Sequence, residues 1–325
     1  MFFIRITFRL KKTENFENLS AKRIELFTIN GAKCTAMIDN RGNRNLVVLE
    51  CGGFPTKEKA DIIGTNLIRC IKLQMITQEV SIHISGKPGI LDDIDSSHVS
   101  GVITEVGKQL LRQGAFFGIQ IPDDIRIEND YIGLGVFEVE NDLREIRFIS
   151  QEAELHIKRP FELEYKEFRN WDHKLDICLS LLNASTSIND VRIKFLLRLM
   201  AIEALVSESQ LRENEYLIAI DALKAKIDEL AIGDEYKQRL KGQLGLFREK
   251  SISQKVNELI ERQLDSKLYN GLPAKKFFAQ CYKARSSFIH SGSLGKTDIF
   301  ELSQFLKQMA VDLITSISCP NVPKD

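Results

Sequence analysis

The chain has no net charge: across its 325 residues, 45 Lys and Arg balance 45 Asp and Glu. A protein that coats nucleic acid with its whole surface carries a large positive excess, so that class is excluded for the molecule taken whole. Long hydrophobic runs are also missing. No apolar segment approaches the roughly 20 residues needed to cross a bilayer, which excludes a membrane-spanning helix. The opening Met1-Phe-Phe-Ile-Arg-Ile-Thr-Phe lacks the charged lead, extended apolar stretch and small-residue cleavage point of a targeting segment. It reads as a strand, and a cytoplasmic protein with no membrane partner is expected.

Cysteine lacks pattern rather than number. Cys34, Cys51, Cys70, Cys178, Cys281 and Cys319 show no Cys-x-x-Cys spacing, and several sit among apolar neighbours. Reduced, buried thiols are expected, with neither a disulfide framework nor a zinc site. His83, His98, His156 and His173 do not pair with Cys or Glu at ligand spacing, so no metal and no cofactor are expected. Phosphate-cradling loops are absent as well. Gly133-Leu-Gly135 has no third glycine and no following helix, and Gly52-Gly53 reads as turn chemistry.

What is there divides the chain in two. Strand patterns recur over Phe2–Leu10, Arg23–Thr28, Lys33–Ile38, Leu46–Glu50 and Val80–Ile84, with turns at Asn30-Gly31, Arg41-Gly42 and Ser85–Gly89. A helix is predicted after Thr56, its cap, with Ala60, Ile63, Leu67, Ile71 and Met75 along one face. Residues 101–113 are predicted to form a second helix, and Tyr131–Glu138 and Glu145–Ile149 to form late strands. Beyond residue 165 the periodicity turns helical. The predicted segments are Asp172–Leu182, Asp190–Glu208, Tyr216–Leu230, Tyr236–Glu249, Ser251–Leu264, Pro273–Ile289 and Asp298–Ser318. Ser251-Ile-Ser-Gln254 is a capping box, and Pro273 suits a first helical turn. Val191–Val206 is apolar around most of its circumference and belongs at the centre of a bundle. The expected class is therefore α+β: a mixed domain over residues 1–155, then an all-α helical bundle over 165–320.

The segment that carries chemistry is Tyr282-Lys-Ala-Arg285-Ser-Ser-Phe-Ile-His290-Ser-Gly292. It joins a permanent, forked cation to an imidazole that shuttles protons near neutral pH, a pair able to act on a phosphodiester. From Ser266 to Thr297 there are six basic residues (Lys267, Lys275, Lys276, Lys283, Arg285 and Lys296) and no acid. This one-signed stretch in a neutral chain points to an anionic partner. Residues 161–325 as a whole carry 24 basic and 23 acidic residues, so only a local patch can hold nucleic acid. Five residues along a regular helix turn about 140°, so Arg285 and His290 do not share a face. Either the helix unwinds near His290, or a second copy completes the site. Glu203 lies inside the most apolar helix, where an acid needs a partner; it either orients an Arg or faces a gap in the bundle.

Three ordered segments resemble the ApeA-like branch of the HEPN superfamily. They are Phe195-Leu-Leu-Arg-Leu-Met-Ala-Ile-Glu203-Ala-Leu205, Ser251-Ile-Ser-Gln-Lys-Val-Asn-Glu-Leu-Ile260, and the Tyr282–Gly292 segment. The likeness spans roughly residues 165–318. The N-terminal Gly53-Phe-Pro-Thr-Lys-Glu-Lys-Ala60 and Tyr131–Phe137 look like the variable domain that precedes it in that family. The resemblance implies an endoribonuclease of a bacterial defence or toxin type, independent of metal and acting as a homodimer on RNA. It assigns catalysis to Arg285 and His290, gives Ser286 the polar position after the Arg, and makes Lys283 and Ser287 substrate-binding neighbours. Glu203 and Tyr282 would support the site. The implied chemistry is attack of the RNA 2′-OH on the adjacent phosphorus, with His290 as general acid or base and Arg285 stabilising the charge that develops. The N-terminal domain would sense a trigger or bind a regulatory protein or ligand. A related toxin subfamily carries a Tyr two residues after the His, whereas this chain has Gly292. A non-catalytic helical module that binds RNA, a nucleotide or a protein is the competing expectation.

Overall fold

Ile4, Ile6, Phe8 and Leu10 alternate along the first strand, so its even positions bury together against a helix while the odd ones face the other way. In the computed structural model the described residues are 1–10, 24–39, 46–84, 101–104, 125–128, 133–138, 161–206, 209–291 and 298–319. The chain separates into two compact units, Met1–Glu167 and Phe168–Asp325.

The first unit is built on an antiparallel sheet of β1 (Phe2–Leu10), β2 (Ile24–Ile29), β3 (Ala32–Asp39), β4 (Leu46–Phe54), β5 (Ile82–His83) and β8 (Gly133–Glu138). β1 is central. β4 runs along one edge, with Ile6 opposite Leu49, while β8 pairs Phe2–Thr7 and β5 pairs Arg9 and Leu10. Asn30 and Gly31 both take positive φ, 49° and 82°, the conformation of a tight turn joining β2 to β3. Helix α1 (Lys57–Thr77) starts where Thr56 Oγ1 accepts from the Lys59 N–H at 3.2 Å. Its buried face holds Ala60, Ile63, Leu67, Ile71 and Met75, as the spacing predicts. Gly64 lets this helix sit on the sheet, since a Cβ there would stand 2.6 Å from Leu134 Cδ1. Residues 161–167 close over the same side: the Phe161 ring stacks on Phe8, and the Lys166 N–H donates to Cys70 Sγ at 3.2 Å.

The second predicted helix, residues 101–113, is corrected at its start. Gly101–Thr104 form β6, paired in parallel with β7 (Ile125–Glu128). Val102, Ile103 and Thr104 are β-branched, stiff at χ1 and better suited to an extended ladder than to a helical turn. Residues 105–113, the turns at 41–42 and 85–89, and the strand expected at 145–149 lie outside the described residues. The strand expected at Leu46–Glu50 runs on to Phe54, and the one expected over 80–84 shrinks to Ile82–His83.

The second unit is helical, with α2 (His173–Thr186), α3 (Val191–Glu203), α4 (Asn214–Asp228), α5 (Asp234–Leu246), α6 (Ile252–Leu264), α7 (Ala274–Ser291) and α8 (Ile299–Ser318). Local caps start most of them. Asp172, Asp190 and Asp298 each accept a backbone N–H of the first turn, and Ser251 with Gln254 completes the capping box. Helix α3 packs against α2, α6, α7 and α8, so it is central, although Ile193 and Met200 on its outer side are each 47% exposed. Arg198 of α3 is fully buried. Its Nε donates to Ser185 Oγ of α2 at 3.3 Å, and its Nη1 donates to the carbonyl and hydroxyl oxygens of Ser303 on α8, both at 3.0 Å.

Before α7 the chain makes a small hairpin of β9 (Leu268–Tyr269) and β10 (Leu272–Pro273), turned by Asn270 and Gly271 at φ 49° and 72°. Pro273, expected in the first helical turn, therefore closes this hairpin one residue before the helix. All six cysteines are free thiols, and five of them are buried. Among the described residues no helix is long and apolar enough to cross a membrane.

Candidate active site on helix α7

Helix α7 buries Phe277, Phe278, Cys281 and Ala284, whose 3–4 spacing gives it one face for the bundle. Arg285 follows directly and lies at the edge of that face, its side chain 31% exposed. Its guanidinium sits 5.5 Å above the Tyr282 ring, and that ring leans on buried Phe278 at 6.1 Å. Arg285 Nη1 is 3.8 Å from Glu203 Oε1 at the C-terminal end of α3. That is an ion-pair distance, beyond hydrogen-bond reach.

Glu203 thus faces Arg285. Its side chain is 13% exposed, and Oε1 has no hydrogen-bond partner among the described residues. Burial pushes its carboxyl above the usual carboxylate range, and the Arg285 charge pulls the other way. The rest of the predicted set divides by face. Lys283, Ser286 and Ser287 are exposed, with Lys276 and Gln280 on the same outer side. Positions 276, 283 and 290 are seven apart and fall close to one line along a helix, on the side away from Arg285.

The helical backbone carries through His290 to Ser291, so it does not unwind at the histidine. Of the two expected routes to a joined site, unwinding of the helix is thereby removed. The His290 side chain and Gly292 lie outside the described residues.

The basic run is less one-signed in space than in sequence. Lys275 pairs with Glu261 of α6, Lys267 pairs with Asp312 of α8 at 2.8 Å, and Arg285 faces Glu203. Asp312 also accepts a hydrogen bond from the Tyr269 hydroxyl at 2.7 Å. Among the described residues of the run, the positive surface that remains is the outer side of α7 at Lys276 and Lys283. Sequence reading named Glu203 as an acid that could orient an Arg, but it missed Glu261 and Asp312, which come from other helices, and the burial of Arg198. The signal for the latter is a cation set between Leu197 and Leu199 in the apolar run Phe195–Ile202. Comparison with family models, with curated proteins and with solved structures returns no match.

Proposed function

We propose that the helical unit is an RNA endonuclease of the HEPN type, working without metal and as a dimer. The observation that carries the reading is the setting of Arg285. It is seated on Tyr282, opposed by a largely buried Glu203, and placed on a helix that runs unbroken through His290. A cation held between a ring and a buried carboxylate is pre-oriented, and its forked donors suit the equatorial oxygens of a phosphorus under attack.

In this reading the ribose 2′-oxygen forms a bond to phosphorus as the bond to the 5′-oxygen breaks. The 2′-hydroxyl proton is taken by a general base and a proton is returned to the departing 5′-oxygen. His290 serves one of these two transfers, and Arg285 stabilises the dianionic pentacoordinate state. The products are a 2′,3′-cyclic phosphate and a free 5′-hydroxyl. Lys283, Ser286 and Ser287 would hold neighbouring phosphates on the outer side of α7. The unbroken helix supports a site shared between two copies, since it turns the two residues about 140° apart.

A second reading is favoured by the same Arg285–Glu203 contact: an internal ion pair that anchors α7, with the module binding RNA, a nucleotide or a protein without cutting. The strand-rich N-terminal unit would then, as in the first reading, receive the trigger or a regulatory partner. Incubating the purified chain with total RNA in EDTA and identifying the ends separates the two. Cyclic phosphate ends that disappear with Arg285→Ala and with His290→Ala support the nuclease. Undiminished cleavage by either variant sinks it, and RNA retention that falls steeply with salt but yields no cleavage selects binding alone.

A further inference from the structure

Cys34 and Cys51 stand opposite each other in the sheet of the first unit, far in sequence from the residues of the candidate site. They are direct ladder partners on the antiparallel strands β3 and β4. Cys51 is also opposite Ile4 of β1, so both thiols lie on the face of the sheet that carries α1. Both are free, with 0% and 2% of their surface exposed. Residues directly opposed in an antiparallel pair have Cα atoms about 4.5–5.5 Å apart. That separation falls within the roughly 4.4–6.8 Å over which a disulfide closes without moving the backbone.

The two side chains already meet, and the contact makes them unequal. It raises the Cys34 thiol, with burial adding to the rise, and it lowers Cys51 against the opposing pull of burial. Cys51 is therefore the sulfur that ionises first, and the thiolate is the nucleophile. Its Sγ is 4.0 Å from the carbonyl oxygen of Ala32, the nearest backbone acceptor. Cys70 on α1 is occupied elsewhere: its Sγ accepts from the Lys166 N–H at 3.2 Å and donates to the Lys166 carbonyl at 3.5 Å. Among the described residues no third Cys, His, Asp or Glu joins the pair in a group placed to hold a metal.

Burial slows access to the pair without sealing it. Strand β2 ends the sheet order and bonds β3 alone among the described strands, and its ladder carries an irregularity between Glu25 and Phe27. Phe27 is the residue opposite Cys34, and it is only half-buried, as are Ile24 and Leu26. An outer strand interrupted by a bulge opens locally at lower cost than the middle of a sheet. Such an opening uncovers Cys34 and Cys51 to a molecule as small as hydrogen peroxide.

We propose that Cys34 and Cys51 form a redox clamp, closing to a disulfide when a hydroperoxide reaches this edge of the sheet. The Cys51 sulfur attacks one peroxide oxygen, the O–O bond breaks, and water leaves with a sulfenic acid on Cys51. The Cys34 sulfur then attacks the Cys51 sulfur, the S–O bond breaks, and the hydroxide departs with the Cys34 proton as a second water. Two thiols are oxidised by two electrons and one peroxide is reduced to two waters; a dithiol reverses the step by exchange. The bond ties β3 to β4 and so fastens the outer β2–β3 hairpin to the middle of the sheet. Neither the bond nor its effect depends on the nuclease reading.

The test treats the purified full chain with hydrogen peroxide, blocks remaining thiols with N-ethylmaleimide after unfolding, and maps the digest by mass spectrometry. A Cys34–Cys51 linked peptide is expected, about 2 Da lighter than the two reduced peptides together and released by dithiothreitol. Cys70→Ser should leave the link in place, whereas Cys34→Ser and Cys51→Ser should each abolish it. The oxidised chain should melt at least about 5 °C higher than the reduced one. Hydrogen exchange at the amides of β2 and β3 should slow on oxidation. Wild-type protein whose Cys34 and Cys51 both stay open to maleimide overturns the proposal without recourse to any variant. So does a link from Cys51 to Cys70, a Cys51 oxidised beyond sulfenic acid with Cys34 still free, or a linked chain whose β2–β3 exchange is unchanged.

Discussion

Arg285 and Glu203 face each other across α7 and α3 at 3.8 Å, close enough for attraction and too far for a hydrogen bond. The acid therefore biases where the guanidinium rests without fixing its fork on a carboxylate. Arg285→Lys keeps the charge and removes the fork. RNA cleavage should fall at least about a hundredfold while the melting temperature changes little, because the site depends on planar donors rather than on a point charge. Rate measurements on wild type and variant under single-turnover conditions check this.

Glu203 gives a pH test whose sign is set by burial. A carboxyl held above its ordinary pKa costs stability when ionised, and the cost vanishes as pH falls through the folded-state value. Glu203→Gln should thus raise stability at pH 8, because burial outweighs the Arg285 attraction. The gain should close as both proteins approach acid pH. Chemical denaturation across that range reads it directly, and a gain that grows toward low pH contradicts the assignment.

Arg198 is the polar pin of the bundle. Its guanidinium ties α3 to Ser185 of α2 and to Ser303 of α8 with the whole side chain out of water. Arg198→Ala should cost about 3 kcal/mol or more, through the lost packing of the long stem and the acceptors left unpaired in the core. Arg198→Met, which refills the volume, should recover part of that loss in the same urea titration.

Two glycines predict opposite outcomes for one substitution. Gly271 turns the β9–β10 hairpin at φ 72°, so Gly271→Ala should destabilise by about 1 kcal/mol. Gly242 lies inside α5, where an added Cβ meets nothing within 4 Å, so Gly242→Ala should stabilise by roughly 0.5–1 kcal/mol. Thermal melts of the pair test whether backbone conformation or space controls each position.

Much of this fold is legible in the sequence where its causes are local. Thr56, Asp172, Asp190, Ser251 and Asp298 cap helices within three residues of themselves, and Asn30-Gly31 sets its turn from its own dihedrals. What escapes reading is fixed by residues distant in the chain. Gly101–Thr104 is a strand because its ladder partner begins at Ile125. Lys267, Lys275 and Arg285 look like a free basic run until Asp312, Glu261 and Glu203 arrive from other helices. The β9–β10 hairpin has two-residue strands, too short to show any period. For the candidate site, the residue types, their spacing and Glu203 as a possible partner for an Arg are readable, whereas which Arg it faces and how far the helix runs past Arg285 come from the structure.

The central position of β1 has a consequence in time. One of its edges finds β4 within about 40 residues; on the other, Arg9 and Leu10 find β5, but Phe2–Thr7 wait for Gly133–Glu138, more than 120 residues downstream of Leu10. At ribosomal speeds of about 5–20 residues per second, that edge stays open on the order of ten seconds. A nascent chain with Ile4, Ile6 and Phe8 on a half-paired strand is a substrate for holding chaperones throughout that interval. The helical unit waits almost as long, since buried Arg198 of α3 meets its Ser303 acceptors on α8 only 105 residues later.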